Sequence, residues 1–309
     1  ISMKSLETIE RGAVDAAAAA PMLSQVEQWA AVNSGSRNLA GLGRMAGLLA
    51  DAFAALPGTV TLVDPAPVDA VAADGRIGAV AHGRHLHLAV RPDAPVQMLF
   101  TGHMDTVFGA DHPFQSITPM ADGTINGPGL ADMKGGIAVM LAALRAVETA
   151  PERDRLGYEV VINSDEEVGS PSSAALIAAA AAGKAAAFPY EPALPDGTLA
   201  GARSGSGNFS LIVTGKSAHA GRNPADGRNA LVAAADLAVR LKALTSATLS
   251  VNPARIDGGG PNNVVPDYAV LRVNFRPATP EAEADAEAAL DSLVATVAAE
   301  HQVAIHRHG

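Results

Sequence analysis

The chain has 309 residues, of which 48% are hydrophobic and 17% are charged, a balance typical of folded globular proteins rather than disordered ones. Its net charge is −10 without long acidic runs, so we expect neither nucleic acid nor an anionic membrane as a partner. The absence of cysteine excludes disulfides, thiolate metal sites and cysteine nucleophiles, and no apolar stretch has the length and hydropathy of a membrane span.

Strands alternate with helices over the first two thirds of the chain. Apolar residues at helical spacing predict helices over 20–32 and 37–56, and alternating residues predict strands over 59–63 and 77–91. The elements predicted next are a buried strand at 96–100, a helix at 133–147, a buried strand at 160–163, a helix at 171–182 that begins with proline, and a strand at 185–190. This order indicates an α/β sheet covered by helices on both faces.

From Ser204 the order of elements changes. The predicted elements are a strand at 209–214, a helix at 229–244, strands at 247–256 and 268–276, a helix at 280–300 and a strand at 302–307. This βαββαβ order is that of a ferredoxin-like module with an antiparallel sheet. We therefore predict two domains, 1–203 and 204–309, the second resembling an insertion.

Acidic and imidazole side chains stand where the predicted buried strands end or in a glycine-rich turn. They are His103, Asp105, Asp132, Glu166, Glu167 and Glu191. In open α/β sheets, ligands bind beyond the carboxyl ends of the strands, so these separate positions can converge. Carboxylate and imidazole groups without thiolate are the ligands of hard or borderline divalent metals. The set predicts the site of a metal-assisted hydrolase.

The spacing of these residues suggests different tasks for them. Asp105 follows His103 by two residues and suits the acceptance of the imidazole N–H, which raises ligand basicity. Asp132 lies in a glycine-flanked turn, where a carboxylate can bridge two ions. Glu166 and Glu167 point to different sides, so one can bind metal while the other handles a proton. Each motif alone is more often a surface loop or turn; their joint occurrence favours function.

At these residues the chain resembles the M20 metallopeptidase and amidohydrolase family, most closely its carboxypeptidase G2-like branch, over roughly 95–309. The matching motifs are Gly-His-Met-Asp-Thr-Val at 102–107, Gly-Pro-Gly-Leu-Ala-Asp-Met-Lys-Gly-Gly at 127–136, Asp-Glu-Glu-Val-Gly-Ser at 165–170, Ser-Ala-His-Ala-Gly at 217–221 and Asn-Asn-Val-Val-Pro-Asp at 262–267. The resemblance implies a zinc-peptidase-like catalytic domain, with helices on both faces of a mixed sheet, and an inserted ferredoxin-like dimerisation (lid) domain.

The resemblance also implies the metal ligands and the base. Asp132 would bridge two zinc ions, with His103 and Glu191 completing one site and Glu167 belonging to the other. Glu166 would be the general base. Manganese or cobalt remains an alternative, because a set of histidine and carboxylates accepts all three metals.

Substrate contacts are implied in the smaller domain. His219 would stabilise the oxyanion, often in the site of the partner subunit, and Arg276 and Asn263 would bind a substrate carboxylate. The guanidinium of Arg276 suits bidentate carboxylate recognition, although a surface cation at a strand end is an equal alternative. The resemblance further implies a homodimer formed through residues 204–309.

Members of this family continue past the small domain into a second part of the catalytic domain, which supplies the last histidine ligand of the Glu167 site. We expect none of the histidines here to fill that role. His306 and His308 fall at the end of the last predicted strand, and further histidines at 82, 85 and 87 precede the motifs. The chain is therefore expected to be part of a longer protein.

The residues and the family resemblance together imply a dinuclear zinc hydrolase that cleaves an amide bond next to a free carboxylate of a small molecule, as a carboxypeptidase or an N-acyl-amino-acid deacylase. One alternative is a metal-deficient, catalytically silent protein of the same fold that binds a ligand or acts through its dimer surface. Another is a nonhydrolytic metal enzyme, such as an isomerase, which would release no amine. We expect a cytoplasmic protein, with a periplasmic or secreted one left open if a signal peptide was removed.

Overall fold

The computed structural model describes residues 8–201 and 203–309. Contacts between residues divide them into a first unit, formed by 8–68 and 80–197, and a second unit, formed by 69–79 and the described part of 198–309. None of the helices in the described ranges combines the length and the apolar character needed to cross a membrane.

The elements of both units follow in chain order. They are α1 (Thr8–Ala18), α2 (Met22–Ala30), α3 (Leu39–Phe53), β1 (Thr59–Val63), β2 (Asp69–Val71), β3 (Ile77–Ala79), β4 (His85–Val90), β5 (Val96–His103), β6 (Thr118–Pro119), β7 (Ile125–Asn126), α4 (Gly135–Glu148), β8 (Leu156–Asn163), α5 (Ala174–Ala181), β9 (Ala186–Pro189), β10 (Gly207–Thr214), α6 (Ala230–Lys242), β11 (Leu249–Gly258), β12 (Tyr268–Pro277), α7 (Pro280–His301) and β13 (Ala304–His308).

The first unit is built on a five-stranded mixed sheet with the order β1-β4-β8-β5-β9. Strands β8, β5 and β9 run parallel to one another, and β4 and β1 are antiparallel to their neighbours. Their apolar residues face both ways, as expected of strands covered on both sides. The larger core, which joins the sheet to α2, α3 and α4, includes Trp29, Leu42, Met45, Phe53, Leu86, Leu88, Ile137, Leu141, Tyr158, Val160 and Ile162.

A smaller cluster lies on the other face of this sheet, where Leu99 and Val161 pack against Ala180 of α5. The predicted α/β sheet with helices on both faces is therefore confirmed. Because the three parallel strands end at the same edge, the residues that follow them are brought together there.

The second unit has the predicted βαββαβ order and a four-stranded antiparallel sheet, β11-β12-β10-β13. Helices α6 and α7 cover one face, and Leu237 and Leu290 are among the side chains fully buried there. Both helices begin with a side-chain cap: Asn229 accepts a hydrogen bond from the backbone N–H of Val232, and Thr279 accepts one from Ala282. Such caps contribute about 1 kcal/mol each.

The β2–β3 hairpin belongs to the second unit although it precedes most of the first in sequence. Arg272 of β12 donates to the backbone oxygen of Val71 at 2.9 Å, and the Tyr268 hydroxyl donates to that of Ala73 at 2.8 Å. Gly75 has a φ of +75°, and a Cβ there would lie 2.5 Å from the Tyr268 ring. Glycine is thus required both by the turn and by the approach of the ring.

Several predicted elements differ from the structure in their bounds, and one helix was not predicted. The single strand predicted over 77–91 is two strands, β3 and β4, because the hairpin ends at Ala79. The helix predicted from Pro171 begins at Ala174, because Ser172 bonds to Asp165 through its backbone N–H and its hydroxyl. Helix α1 was not predicted, since it has no fully buried residue to mark an apolar face.

Candidate metal centre

His103 is the last residue of β5 rather than the first residue after it, and it pairs with Asn163 at the end of β8. Its Nε2 atom lies 2.9 Å from Oδ1 of Asp132 and 3.6 Å from Oε1 of Glu191. Donor atoms of these three residues all lie within 4.8 Å of one another. A tetrahedral zinc ion with bonds of about 2 Å needs donors roughly 3.3 Å apart, so these residues fit a divalent metal.

Charge supports the same conclusion. Burial disfavours a charged imidazole at His103, but the hydrogen bond and charge of Asp105, with the charges of Glu191 and Glu166, outweigh burial and raise its pKa to about 9. Carboxylates around a buried imidazole favour its protonated form. The positive charge of a protonated His103 therefore balances part of the negative charge of these carboxylates. A bound cation would take over this role and displace the proton.

Asp105 is fully buried and connects the two halves of the site. Its carboxylate lies 3.4 Å from Nδ1 of His103 and accepts hydrogen bonds from the backbone N–H groups of Glu166 at 3.1 Å and Glu167 at 3.2 Å. Ser36 donates its hydroxyl to the same carboxylate at 2.7 Å. The expected contact with the imidazole is present, but Nδ1 lies closer, at 3.0 Å, to the backbone oxygen of Asp105.

Glu166 and Glu167 lie in a 3₁₀ turn directly after β8. Glu166 is exposed and Glu167 is half-buried. Burial, followed by the negative charge of Asp132, raises the pKa of the Glu167 carboxyl to about 7. The structure thus brings Glu167 within electrostatic reach of Asp132, whose side chain is 54% exposed.

Close backbone packing sets the position of Glu191. A Cβ at Gly136, in the first turn of α4, would lie 1.9 Å from the backbone oxygen of Tyr190. Only glycine therefore lets the segment after β9 approach α4 so closely.

Lys134, before this helix, is buried and donates to the backbone oxygen of Val32 at 3.0 Å, and burial lowers its pKa to about 8.

A buried polar network behind the turn was missed by the sequence analysis. Asp165 accepts hydrogen bonds from the Ser172 backbone at 2.6 Å, from the hydroxyls of Ser172 at 2.8 Å and Ser173 at 2.6 Å, and from Asn163 at 3.2 Å. Burial opposes ionisation of Asp165, but these bonds outweigh it and hold the pKa below its ordinary value. The one signal was the density of short polar residues around the paired glutamates.

His219 is exposed in the second unit, in a loop that pairs with the segment before β12. Its Nδ1 accepts hydrogen bonds from the backbone N–H groups of Gly221 at 3.1 Å and Arg222 at 3.2 Å. Nδ1 is therefore the acceptor, and the neutral imidazole carries its proton on Nε2. The backbone oxygen of Asn263 accepts from Ala220 at 2.9 Å, so two of the sequence motifs meet here.

Arg276 lies at the other end of β12, where it donates to Asn274 at 3.1 Å. Eight residue steps separate it from Tyr268, about 27 Å along an antiparallel strand. Within one copy of the second unit, Arg276 is thus far from Asn263 and His219. His306 and His308 lie on β13, an edge strand of the same sheet.

Comparison with known protein families gives matches in both units. The family model described as "Peptidase dimerisation domain", of the M20 group, matches residues 201–302, and the model described as "Peptidase family M28" matches residues 86–190. The first match corresponds to most of the second unit. The other runs from β4 to β9 and includes His103 and Asp132 but not Glu191.

Among curated proteins, carboxypeptidase G2 from Pseudomonas sp. (strain RS-16) is 35% identical over 63% of this chain and 47% of its own length. Succinyl-diaminopimelate desuccinylase from Maricaulis maris is 32% identical over 61% of this chain and 53% of its own. N-acetyl-L-citrulline deacetylase from Xanthomonas campestris is 30% identical over 58% and 50%. The chain spans about half the length of these relatives.

Solved structures share the fold at low identity. A tripeptidase from Staphylococcus aureus superimposes with a TM-score of 0.64 at 23% identity, over 93% of this chain and 74% of that one. An M20 family metallo-carboxypeptidase from Sulfolobus solfataricus gives 0.65 at 13% identity, over 94% and 78%. With the dimerisation-domain match and the sequence relatives, these findings support an M20 metallopeptidase.

Proposed function

We propose that the protein is a dinuclear zinc-dependent hydrolase that cleaves an amide bond next to a free carboxylate, as a carboxypeptidase or an N-acyl-amino-acid deacylase. The observation that carries this proposal is the convergence of His103, Asp132 and Glu191 beside a glutamate pair at one sheet edge. The names of the relatives, a carboxypeptidase, a desuccinylase and a deacetylase, support amide or peptide bonds as the bonds cleaved.

The donor set supports two neighbouring metal positions. His103, Asp132 and Glu191 would hold one ion, and Asp132 and Glu167 would contribute to the other, with Asp132 as the shared ligand. The short distance from Asp132 to His103 and its effect on the pKa of Glu167 support this sharing. When bound, the ions supply Lewis acidity and lower the pKa of water. Zinc suits imidazole with carboxylates, although manganese and cobalt accept the same set.

Glu166 is the proposed general base. Its carboxylate is exposed at the sheet edge, while its backbone is fixed by the buried carboxylate of Asp105. Glu166 would take the proton of the attacking water and deliver it to the leaving amine. Asp105 would orient the His103 ring and hold the turn that carries both glutamates.

His219 is the proposed oxyanion donor. Backbone N–H groups occupy its Nδ1, so the exposed Nε2–H is available to a developing negative charge. Arg276 would bind the substrate carboxylate and Asn263 would assist it. The length of β12 between them supports an arrangement in which His219 and Asn263 of one subunit serve a site that contains Arg276 of the other.

We also propose a homodimer formed through the second unit. On α6, Val232 is 52% exposed and Val239 is 71% exposed, and they lie two helical turns apart on the same face. The adjoining strand β11 is an edge of the sheet. An apolar helix face beside an unpaired strand edge suits pairing with a second copy.

The proposed function is tested with the Glu166→Gln variant. The zinc-loaded protein is incubated with dipeptides and N-acyl amino acids, released amine is measured, and metal content is determined on the same samples. We expect wild type to release amine and Glu166→Gln to lose about 100-fold or more in rate while its zinc content is unchanged. The exposed Glu152, changed to Gln, is the matched control. Full amine release by Glu166→Gln would rule out the proposed base.

A further inference from the structure

Arg37 stands beside the metal centre, in the loop before α3. Its neighbour Ser36 donates to the carboxylate of Asp105, and the backbone of Ser36 donates to Thr106 at 3.2 Å. The backbone N–H of Thr106 in turn donates to Ser34 at 3.1 Å. Residues 34–36 are thus tied to the segment that follows β5, so Arg37 is anchored at the edge of the sheet that carries the metal ligands.

The guanidinium of Arg37 rests on a buried histidine. Its Nη1 atom lies 3.4 Å from Nε2 of His82. Arginine can only donate, so His82 accepts at Nε2 and is neutral. Burial, followed by the positive charge of Arg37, lowers the pKa of His82, which keeps it neutral. On its other side, Nδ1 of His82 lies 4.0 Å from Asp165. The exposed guanidinium of Arg37 thus contacts a buried neutral ring, whose Nδ1 has no hydrogen-bond partner among the described residues.

Most of the hydrogen-bonding capacity of Arg37 is unused. Its side chain is exposed, and none of the described residues offers it a carboxylate. Arg91 in the same unit shows the contrast, because it binds Glu148 through both terminal nitrogens, at 2.9 and 2.6 Å. A guanidinium has five N–H donors in a planar fork that matches an oxyanion. Among the residues that the structure describes, only His82 accepts from one of these donors in Arg37.

The position of His82 sets the distance to the metal ligands. Ser164, which follows β8, donates to the backbone oxygen of Gly83 at 2.8 Å, so the start of β4 lies at the same sheet edge. Strands β4, β8 and β5 are neighbours, so two strand spacings of about 4.8 Å place β4, which His82 precedes by three residues, about 10 Å from β5, which ends at His103. The long side chain of Arg37 and a substrate of amino-acid size together span that distance.

We propose that Arg37, seated on His82, is an anion-binding subsite that recognises a second carboxylate of the substrate, in addition to the one next to the scissile amide. This inference rests on the proposed hydrolase function and specifies its substrate class as doubly anionic amides. The subsite lies wholly in the first unit, whereas Arg276 belongs to the second.

Three amides distinguish where the second carboxylate is carried. N-succinyl-alanine carries it on the acyl side, N-acetyl-glutamate carries it on the amine side, and N-butyryl-alanine lacks it. For Arg37→Gln, we expect kcat/KM to fall about tenfold or more for one of the dianionic substrates, mainly through a higher KM. We expect kcat/KM for N-butyryl-alanine to be unchanged. The loss of a charge-assisted hydrogen bond accounts for a fall of about this size. Arg37→Lys should recover only part of the loss, because the ammonium cannot bind bidentately.

The control is Arg44→Gln, which removes an equal charge from an exposed position on α3. An equal fall for all three substrates in Arg37→Gln, or no fall for either dianion, would overturn the subsite. If the wild-type protein releases no amine at all, the hydrolase proposal fails, and calorimetric titration tests the subsite separately. Tighter binding of N-succinyl-alanine or N-acetyl-glutamate than of N-butyryl-alanine, lost in Arg37→Gln, would support it, and equal binding of all three would refute it.

Discussion

Replacing Asp165 by alanine should destabilise the first unit strongly. The buried carboxylate accepts four hydrogen bonds, one of them from the backbone N–H of Ser172, and two are from serine hydroxyls. The hydroxyls of Ser172 and Ser173 can rotate toward other acceptors, but the backbone donor cannot. An unsatisfied buried donor costs about 1 to 3 kcal/mol, so we expect a loss of about 4 kcal/mol for the whole set. This is a large share of the stability of an ordinary domain.

The chain's single tryptophan, Trp29, gives a selective assay, because it is buried in the core of the first unit. Urea unfolding followed by its fluorescence should show a midpoint about 2 M lower for Asp165→Ala, at a slope of about 2 kcal/mol per molar. Asp165→Asn should lose much of the same stability, since its amide nitrogen would face hydrogen-bond donors in either orientation. The exposed Asp93, changed to Ala, is the control.

Acidity provides an independent check on this reasoning. The folded-state pKa of Asp165 lies below its ordinary value of 3.8, so its stabilisation is present above that value and is lost as pH falls through the folded pKa. The stability difference between wild type and Asp165→Asn should therefore shrink in acid. A midpoint for Asp165→Ala equal to that of Asp93→Ala, or a difference independent of pH, would refute the role assigned to the network.

Further predictions concern the metal centre and the dimer. Gly136→Ala should weaken zinc binding, because its methyl group would overlap the backbone oxygen of Tyr190 and displace Glu191. Competition with a chromophoric chelator measures the zinc affinity, and an unchanged affinity would contradict this prediction. Zinc must displace a proton from Glu167, whose pKa is raised to about 7, so affinity should rise as pH increases through 7, with protons released into weakly buffered solution. A pH-independent affinity would count against that contact. Val239→Glu should convert a dimer into a monomer in light scattering by burying a charge in the interface, and a wild-type monomer at micromolar concentration would exclude the proposed pairing.

Local periodicity was sufficient for most of the fold. The four strands of the β11-β12-β10-β13 sheet were predicted to within two residues at each end, because apolar residues alternate cleanly along them. The predicted ligands His103, Asp132 and Glu191 do converge. The parallel strands β5 and β9 place His103 and Glu191 at one edge of the sheet, and Asp132 lies in the glycine-rich turn before α4.

What the sequence did not reveal depends on contacts distant along the chain. The sequence placed Asp165 in a motif with two glutamates, but its hydrogen-bond partners are Ser172 and Ser173. These serines lie in the segment that was predicted to begin a helix. The hydroxyl of Ser36 reaches Asp105 across 69 residues, and no periodicity marks such a pair. That Arg276 and Asn263 bind one substrate carboxylate together remains a prediction, because their distance in the assembled protein depends on how two copies pair.

The placement of the β2–β3 hairpin has a consequence for the order of events during synthesis. Its hydrogen bonds to β12 join residues 195 and 201 positions apart, so the hairpin leaves the ribosome long before its partner exists. At about 5 to 20 residues per second, the delay is roughly 10 to 40 s. Val71, which ends up 7% exposed, remains in contact with water or a chaperone during that time. The hairpin therefore cannot complete its contacts with the second unit until β12 has been translated.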